Sequence, residues 1–395
     1  MTRPSTNSIE KLHEERLLMV LGRRGPMTRA ELSIALQLGR STISAIVTAL
    51  TARGVAVQIA SAPQLRRGRP TGLVGLDPTA VYAMGVDFGH ARVWVMALNA
   101  VEEVVHSGVA VYRTDSTWAD RAELAVGLIQ SLGFDARHLG PLRGVGIGVP
   151  GPLISLDADP ALPHPDEPER ARVVRTRLSE LLQVPLFVDN NTRYAGLAEA
   201  ATQSDRHIDD ILYVRCSDGV GGAAVTSGRL LRGAQGLAAE IGHLTVDPNG
   251  VVCDCGRVGC LETIASVPAV LAEARRVGVE VADLKDLASV LATGPGPLDE
   301  VVDRAGQAVG QVLAQAAVLL NPTEIVIGGP LVAAAPRLID AAARTYASLL
   351  GDRFTAAPVR PAALGDEDGA RGAALVVIHQ SVLLSDYALP EVSMQ

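Results

Sequence analysis

The sequence predicts an α/β protein that carries a small helical head, and three observations predict it. Apolar residues recur at helical spacing in the N-terminal part, whereas past residue 80 apolar strands alternate with amphipathic helices. Charge divides at nearly the same place. Residues 1–70 hold eleven Arg and Lys against four Glu and no Asp, so they are +7, which leaves −15 on residues 71–395 of a chain whose formal net charge is −8. The strands of the body end in glycine-rich or acidic turns, where α/β proteins place their function. With 48% apolar residues in a length of 395, the chain can bury two or three cores and does not read as disordered. No run nears the ~20 apolar residues that a membrane span needs. The N-terminus is too charged for a signal peptide, so a cytoplasmic protein with no membrane partner is expected.

The first element is a helix in "NSIEKLHEERLLMVLGRRG", with Leu17, Leu18 and Leu21 on one face and a stop at Gly25-Pro26. A second, short helix follows in "MTRAELSIALQLG". It opens on Thr28 and Glu31, a capping box in which each side chain satisfies an exposed amide of the other. Gly39 is expected to supply the turn into "RSTISAIVTALTARG". There Ile43, Ile46, Val47 and Leu50 share the buried face and Arg40, Ser41, Thr42, Ser44 and Thr48 point outward. A helix with short polar side chains near its start, one turn after another helix, is built to enter a DNA major groove. "VAVQIASAPQLRRGRPTGLVGLDP" then reads as two strands around a basic loop, a wing whose Arg66, Arg67 and Arg69 suit phosphates or a narrow minor groove. A bare three-helix packing module with a basic linker is the plainer reading of the same segment.

In the body, "VYAMGVDFGHARVWVMALN" reads as two strands turning at Asp87-Phe88-Gly89-His90. "GVGIGVPGPL", "PLFVDNN", "DILYVRCSDGVGGAAV" and "EIVIGGPL" are further strands, with helices such as "RAELAVGLIQSLG" and "AGQAVGQVLAQAAVLLN" between them. One short stretch, "HLTVDPNGVVCDCGRVGCLET", gathers three of the four cysteines. In a reducing compartment such a cluster points to a metal or reactive site before a disulfide framework.

The order of these motifs, from the acidic DxG turn through GVPGP, the Asp-Asn cluster, a second glycine-rich turn, EIGH, the cysteines and NPTEIVIGGPL, resembles the ROK family along the whole chain. That family joins bacterial sugar kinases of the actin-like ATPase fold to sugar-responsive repressors, and its repressor branch adds an N-terminal winged helix-turn-helix. The resemblance implies a winged head at 1–80 and a first lobe at 81–200, completed by a C-terminal helix at about 375–395. It places a second lobe with a zinc site at 201–374. His243, Cys253, Cys255 and Cys260 match the family's zinc motif. One imidazole and three thiolates form a soft tetrahedral set for structural Zn²⁺ with no open position for a catalytic water, although a reduced, metal-free cluster is the alternative.

The family's sugar contacts fall on Asn190, Glu240, His243 and Glu262. The kinase machinery departs from the pattern at three places: Asn191 stands at the catalytic aspartate position, His90 in the first phosphate loop and Asp218 in the second. An amide cannot take a proton as a carboxylate does, and Asp218 opposes phosphate charge. The sequence therefore implies a DNA-binding, sugar-responsive regulator without kinase activity, acting on a palindromic operator as a homodimer or homotetramer. An active ATP-dependent sugar kinase with an attached DNA-binding domain is the alternative, and a zinc-stabilised regulator answering to a partner protein is a third reading. The loop "SLDADPALPHPDEPERARV" is the expected seat of sugar selectivity, or else a plain surface loop.

Overall fold

Three helices come first in the chain. In the computed structural model, which describes residues 6–59, 72–134, 139–153, 167–202, 210–351 and 354–379, they are α1 (Thr6–Arg24), α2 (Arg29–Leu36) and α3 (Arg40–Ala52). Leu17, Leu18 and Leu21 of α1 meet Leu32 and Leu36 of α2 and Ile43, Val47 and Leu50 of α3 in one apolar cluster. Thr28 caps α2 as expected: its hydroxyl accepts from the Glu31 amide at 3.2 Å while its own amide donates to the Glu31 carboxylate at 2.8 Å.

The turn between α2 and α3 differs from the expectation. Gly39 is extended at φ −61°, and Gln37 takes the left-handed conformation at φ 55°. The amides of Gln37 and Leu38 close back onto the carbonyls of Ile34 and Ser33, so the helix end itself makes the turn. The axes of α2 and α3 turn through 113°.

Three strands support the head: β1 (Met27–Thr28), β2 (Ala56–Ile59) and β3 (Leu73–Leu76), in the order β1-β3-β2. β2 and β3 are antiparallel, with Ala56 opposite Leu76 and Ile59 opposite Leu73. The wing tip that holds Arg66, Arg67 and Arg69 lies outside the described residues.

The body has two five-stranded sheets. The first comprises β4 (Tyr82–Phe88), β5 (Arg92–Asn99), β6 (Val104–Val111), β7 (Leu142–Val149) and β8 (Leu186–Asn190), ordered β6-β5-β4-β7-β8. β4, β7 and β8 are parallel, and their register sets Asp87 beside Gly148 and Gly148 beside Asp189. The second sheet is β9 (Ile211–Cys216), β10 (Val220–Thr226), β11 (Arg229–Leu230), β12 (Glu324–Gly328) and β13 (Val359–Pro361), ordered β11-β10-β9-β12-β13. α4 (Trp118–Ser131) and α5 (Glu169–Leu182) supply apolar side chains to one face of the first sheet.

α6 (Asn191–Ala201) follows β8 directly and stands between the sheets, giving Tyr194, Leu197 and Ala198 to one cluster and Ala195 and Ala200 to another. Past the cysteine loop come α7 (Glu262–Ala265), α8 (Val267–Arg276), α9 (Leu284–Leu291), α10 (Pro297–Leu320), α11 (Pro330–Ala334) and α12 (Arg337–Leu350), most of them around the core of the second sheet. α13 (Asp368–His379) starts earlier than the sequence suggests and returns to lie across β4 and β7 of the first sheet; residues 380–395 lie outside the described residues. No single helix among the described residues is long and apolar enough to cross a membrane.

Candidate functional site

The carboxyl ends of β4, β7, β8 and β9 face one cleft of about 370 Å³ between the sheets. Asn190, Glu240, His243 and Glu262, which come from three separate segments, all line it. Local sterics fix two of them. Glu240 and His243 flank a 3₁₀ turn, Ile241–His243, whose Gly242 presses on the Val220 carbonyl at the start of β10 with no room for a Cβ. Glu262 opens α7, and its Oε2 accepts from the Val220 amide at 2.9 Å.

Each of these groups already has an internal partner. Asn190 caps α6: its Oδ1 accepts from the amides of Thr192 at 2.8 Å and Arg193 at 3.3 Å, while Nδ2 donates to the Gly151 carbonyl at 2.9 Å. One amide proton is left for a ligand. Burial raises the Glu240 carboxyl above its ordinary range, and Arg193 works against the shift by donating from Nη2 to Oε1 at 2.9 Å.

Arg193 is the residue that sequence reasoning missed. It is 2% exposed and donates through Nη1 to Asp189 at 3.0 Å, whose other oxygen accepts from Arg232 Nε at 2.8 Å. Asp189 thus sits in a buried guanidinium pair and does not line the cleft. The spacing of Asp189 and Arg193, four residues apart where a strand runs into a helix, is the signal that could have found the pair.

Elsewhere along the cleft, Asn191 begins α6 and donates from Nδ2 to the Phe88 carbonyl at 3.3 Å. His90 and Asp218 approach each other from opposite lobes, Nδ1 to Oδ2 at 3.8 Å, on the turns that follow β4 and β9. Asp87 lies behind them at 2% exposure, and its Oδ1 has no hydrogen-bond partner among the described residues. Burial pushes its carboxyl up to about 7, with Arg215 opposing the shift and Asp368, itself bonded to Arg215, adding to it.

A raised folded pKa favours the protonated folded state. Asp87 therefore lends stability in full below pH 4 and loses it as pH rises through 7, a change on the order of 4 kcal/mol at most. Asp87→Asn is expected to raise the thermal midpoint at pH 8 and leave it nearly unchanged at pH 4. Equal shifts at both pH values would mean that Asp87 is ionised throughout.

The cysteine loop borders the same wall. Bridges Thr245↔Cys260 and Val252↔Val258 fold it back on itself, and Gly256 and Gly259 take positive φ. The ligand atoms of His243, Cys253, Cys255 and Cys260 lie within 4.8 Å of one another, and this cluster can hold a metal ion. Cys253 Sγ is 3.7 Å from His243 Nδ1 and Cys255 Sγ is 3.6 Å from Cys260 Sγ. Zn–S bonds of ~2.3 Å at tetrahedral angles set sulfurs about 3.8 Å apart, so the donor set fits a zinc ion. Burial pushes the Cys260 thiol up to about 12 and raises Cys253, whereas the Arg257 amide lowers Cys255. Cys216 is fully buried in the second sheet, remote from the cluster in sequence and not part of it.

On α3, Arg40, Ser41, Ser44 and Thr48 are exposed and Thr42 is half-buried, opposite the buried Ile43, Ile46, Val47 and Leu50. This leaves a polar edge beginning at the helix N-terminus.

Together these features define a two-lobed, actin-like ATPase fold with an N-terminal helix-turn-helix head. The chain belongs to the ROK family, whose pattern it matches over residues 83–380. A glucokinase of Halalkalibacterium halodurans is 29% identical over 75% of this chain and 95% of its own length. The xylose repressor of Bacillus subtilis is 25% identical over 94% and 96%. The crystal structure of a ROK family transcriptional regulator, a homologue of the E. coli MLC protein, superposes with a TM-score of 0.75 at 22% identity, covering 95% of this chain and 97% of that one.

Proposed function

We propose that the chain is a sugar-responsive, DNA-binding transcription regulator, most simply a repressor, whose kinase-like body senses its effector without phosphorylating it. The observation that carries this reading is the joining, in one chain, of the polar edge of α3 to a cleft lined by the amide of Asn191 where a kinase would need a carboxylate. Asn191 accepts no proton from a sugar hydroxyl, and the nearest carboxylate in sequence, Asp189, is held in its guanidinium pair. His90 and Asp218 stand where the phosphate loops of a kinase would cradle ATP, and Asp218 repels phosphate. The likeness to the xylose repressor over nearly both full lengths, head included, supports the regulator reading. The likeness to a glucokinase covers the body and keeps an active kinase as the reading to be tested against.

In this reading Arg40, Ser41, Thr42 and Ser44 meet base edges and backbone, and Arg66, Arg67 and Arg69 meet phosphates. Asn190, Glu240, His243 and Glu262 bind sugar hydroxyls, and structural Zn²⁺ on His243, Cys253, Cys255 and Cys260 holds the wall to which two of them belong. The head is residues 1–80, the lobes 81–200 and 201–374, and α13 completes the first lobe. A homodimer or homotetramer on a palindromic operator follows from two-fold recognition. Sugar binding in the cleft changes the relation of the lobes and so the spacing of the heads, with a coupling of roughly 1–3 kcal/mol, or about 5–150-fold in DNA affinity.

Calorimetry with a sugar panel and a shift assay on the DNA upstream of the coding sequence test the reading together. Sugar binding without ATP, and release of DNA by the same sugar, are the expected results. Sugar binding that needs ATP, with phosphate transfer, identifies an enzyme. In the shift assay, Arg40→Ala is expected to weaken DNA binding on all sequences and to lower the salt slope by about one. Ser41→Ala should change sequence preference at constant slope.

A further inference from the structure

A second hollow, of about 480 Å³, adjoins the cleft, between the segment around Leu237 and the cysteine loop. Pro152, Glu240 and His243 line both it and the cleft, so the two spaces meet at these residues. Their chemistry differs. The cleft presents carboxylates and amides, whereas the hollow is walled by Leu237, Ala239, Ile241, Leu244 and Pro152, with Arg257 and Cys255 at its cysteine-loop side. Leu237 is 37% exposed although it is a large apolar residue, and the chain reaches Glu240 through Ala239 in the left-handed region at φ 61°. That conformation is strained for alanine, and it sets Leu237 on one side of Glu240 and the Ile241–His243 turn on the other.

A sugar ring held by Glu240 and His243 therefore has an apolar space beside it that its own hydroxyls cannot use. A second sugar ring would bring hydroxyls needing several partners into a wall with few, and each unpaired one would cost free energy. An apolar group gains by burial there. From this, and resting on the sensor reading above, we infer that the effector is a sugar bearing an apolar substituent, an aryl or alkyl glycoside, with its sugar in the cleft and its substituent in the hollow along Leu237.

The test is calorimetry on the full-length protein with glucose, galactose, mannose, xylose and N-acetylglucosamine, each as the free sugar and as both p-nitrophenyl anomers. One glycoside is expected to bind at least about tenfold more tightly than its parent sugar, the scale of a few apolar contacts in a pocket. Leu237→Asp, at a half-exposed position where a charge is tolerated by the fold, is expected to erase that advantage; metal content and circular dichroism check that the wall is intact. Parent sugars binding as tightly as every glycoside, or a glycoside advantage that survives Leu237→Asp, overturns the inference and leaves the sensor reading standing. Failure of every sugar and glycoside to bind overturns both.

Discussion

Cys260→Ser is expected to lose its zinc and, with it, both the sugar response and the fold of the loop from His243 to Thr263. Zinc binding in small zinc-folded peptides is worth about 10–16 kcal/mol. Removing one of four ligands therefore decides whether so short a segment holds its shape. Its tip has little apolar support, with Val251 and Val252 65% and 71% exposed, and it is held by short-range backbone bonds such as Cys253 amide to Arg257 carbonyl and Gly259 amide to Val251 carbonyl, which a metal would lock together. Glu262 follows Cys260 by two residues and bonds the Val220 amide, so disorder here reaches the lining of the cleft directly. Metal analysis and calorimetry measure the two losses. Cys216→Ala is the control, since Cys216 is buried in the second sheet and outside the cluster, and it should keep stoichiometric zinc. Wild-type protein purified without chelators and found free of zinc would remove the metal claim altogether.

Gly146→Val is the second large effect. α13 crosses the first sheet so closely that a Cβ on Gly146 would overlap the Ala373 carbonyl, and one on Gly85, in register on the neighbouring strand, the Ala370 carbonyl. Both neighbours are helix backbone, which cannot rotate away. The helix must lift from the sheet, breaking contacts of Ala370, Ala373 and Ala374, at a cost of about 3 kcal/mol. Thermal unfolding should show a midpoint lowered by several degrees, with loss of sugar binding following it. A midpoint within a degree of wild type would mean that the helix is not seated as described. Gly127→Ala, on α4 with open space around it, should change little.

How much of this was legible in the sequence depended on whether the signal was local. Thr28 and Glu31 announce a helix start within four residues, and the structure has the capping box. Apolar spacing placed Ile43, Ile46, Val47 and Leu50 on one buried face. The strand ends carrying Asp87, Asn190 and Cys216 were readable because glycine and acidic residues interrupt apolar runs there. Gly39 misled because glycine is the usual left-handed residue, whereas Gln37 is held left-handed by two closing hydrogen bonds that no composition rule reports.

β1 went unread because two residues are too short for any period, and its partner β3 lies 45 positions on. Arg193 went unread for a related reason. Its partners Asp189 and Glu240 are joined only when β8, α6 and the 3₁₀ turn are packed, so the buried pair is a tertiary fact. The four residues of the cluster that can hold a metal ion, by contrast, stand out in the sequence, because metal chemistry demands particular side chains at close spacing.

The head is not hung on a string. Val81 and Ala100, on either side of the β4–β5 hairpin of the body, lie in the same apolar cluster as Leu17, Leu50 and Val74 of the head, with Ala80 at the junction between them. Asp77 donates its amide to the Val55 carbonyl, and a short step through Pro78–Val81 then leads into β4. Head and first sheet are thus joined through one shared apolar core, so a tilt of the sheet is passed to the head. Softening that joint, for instance with Val81→Gly, should, if the proposed function holds, leave DNA and sugar each bound with unchanged affinity while sugar no longer changes the affinity for DNA.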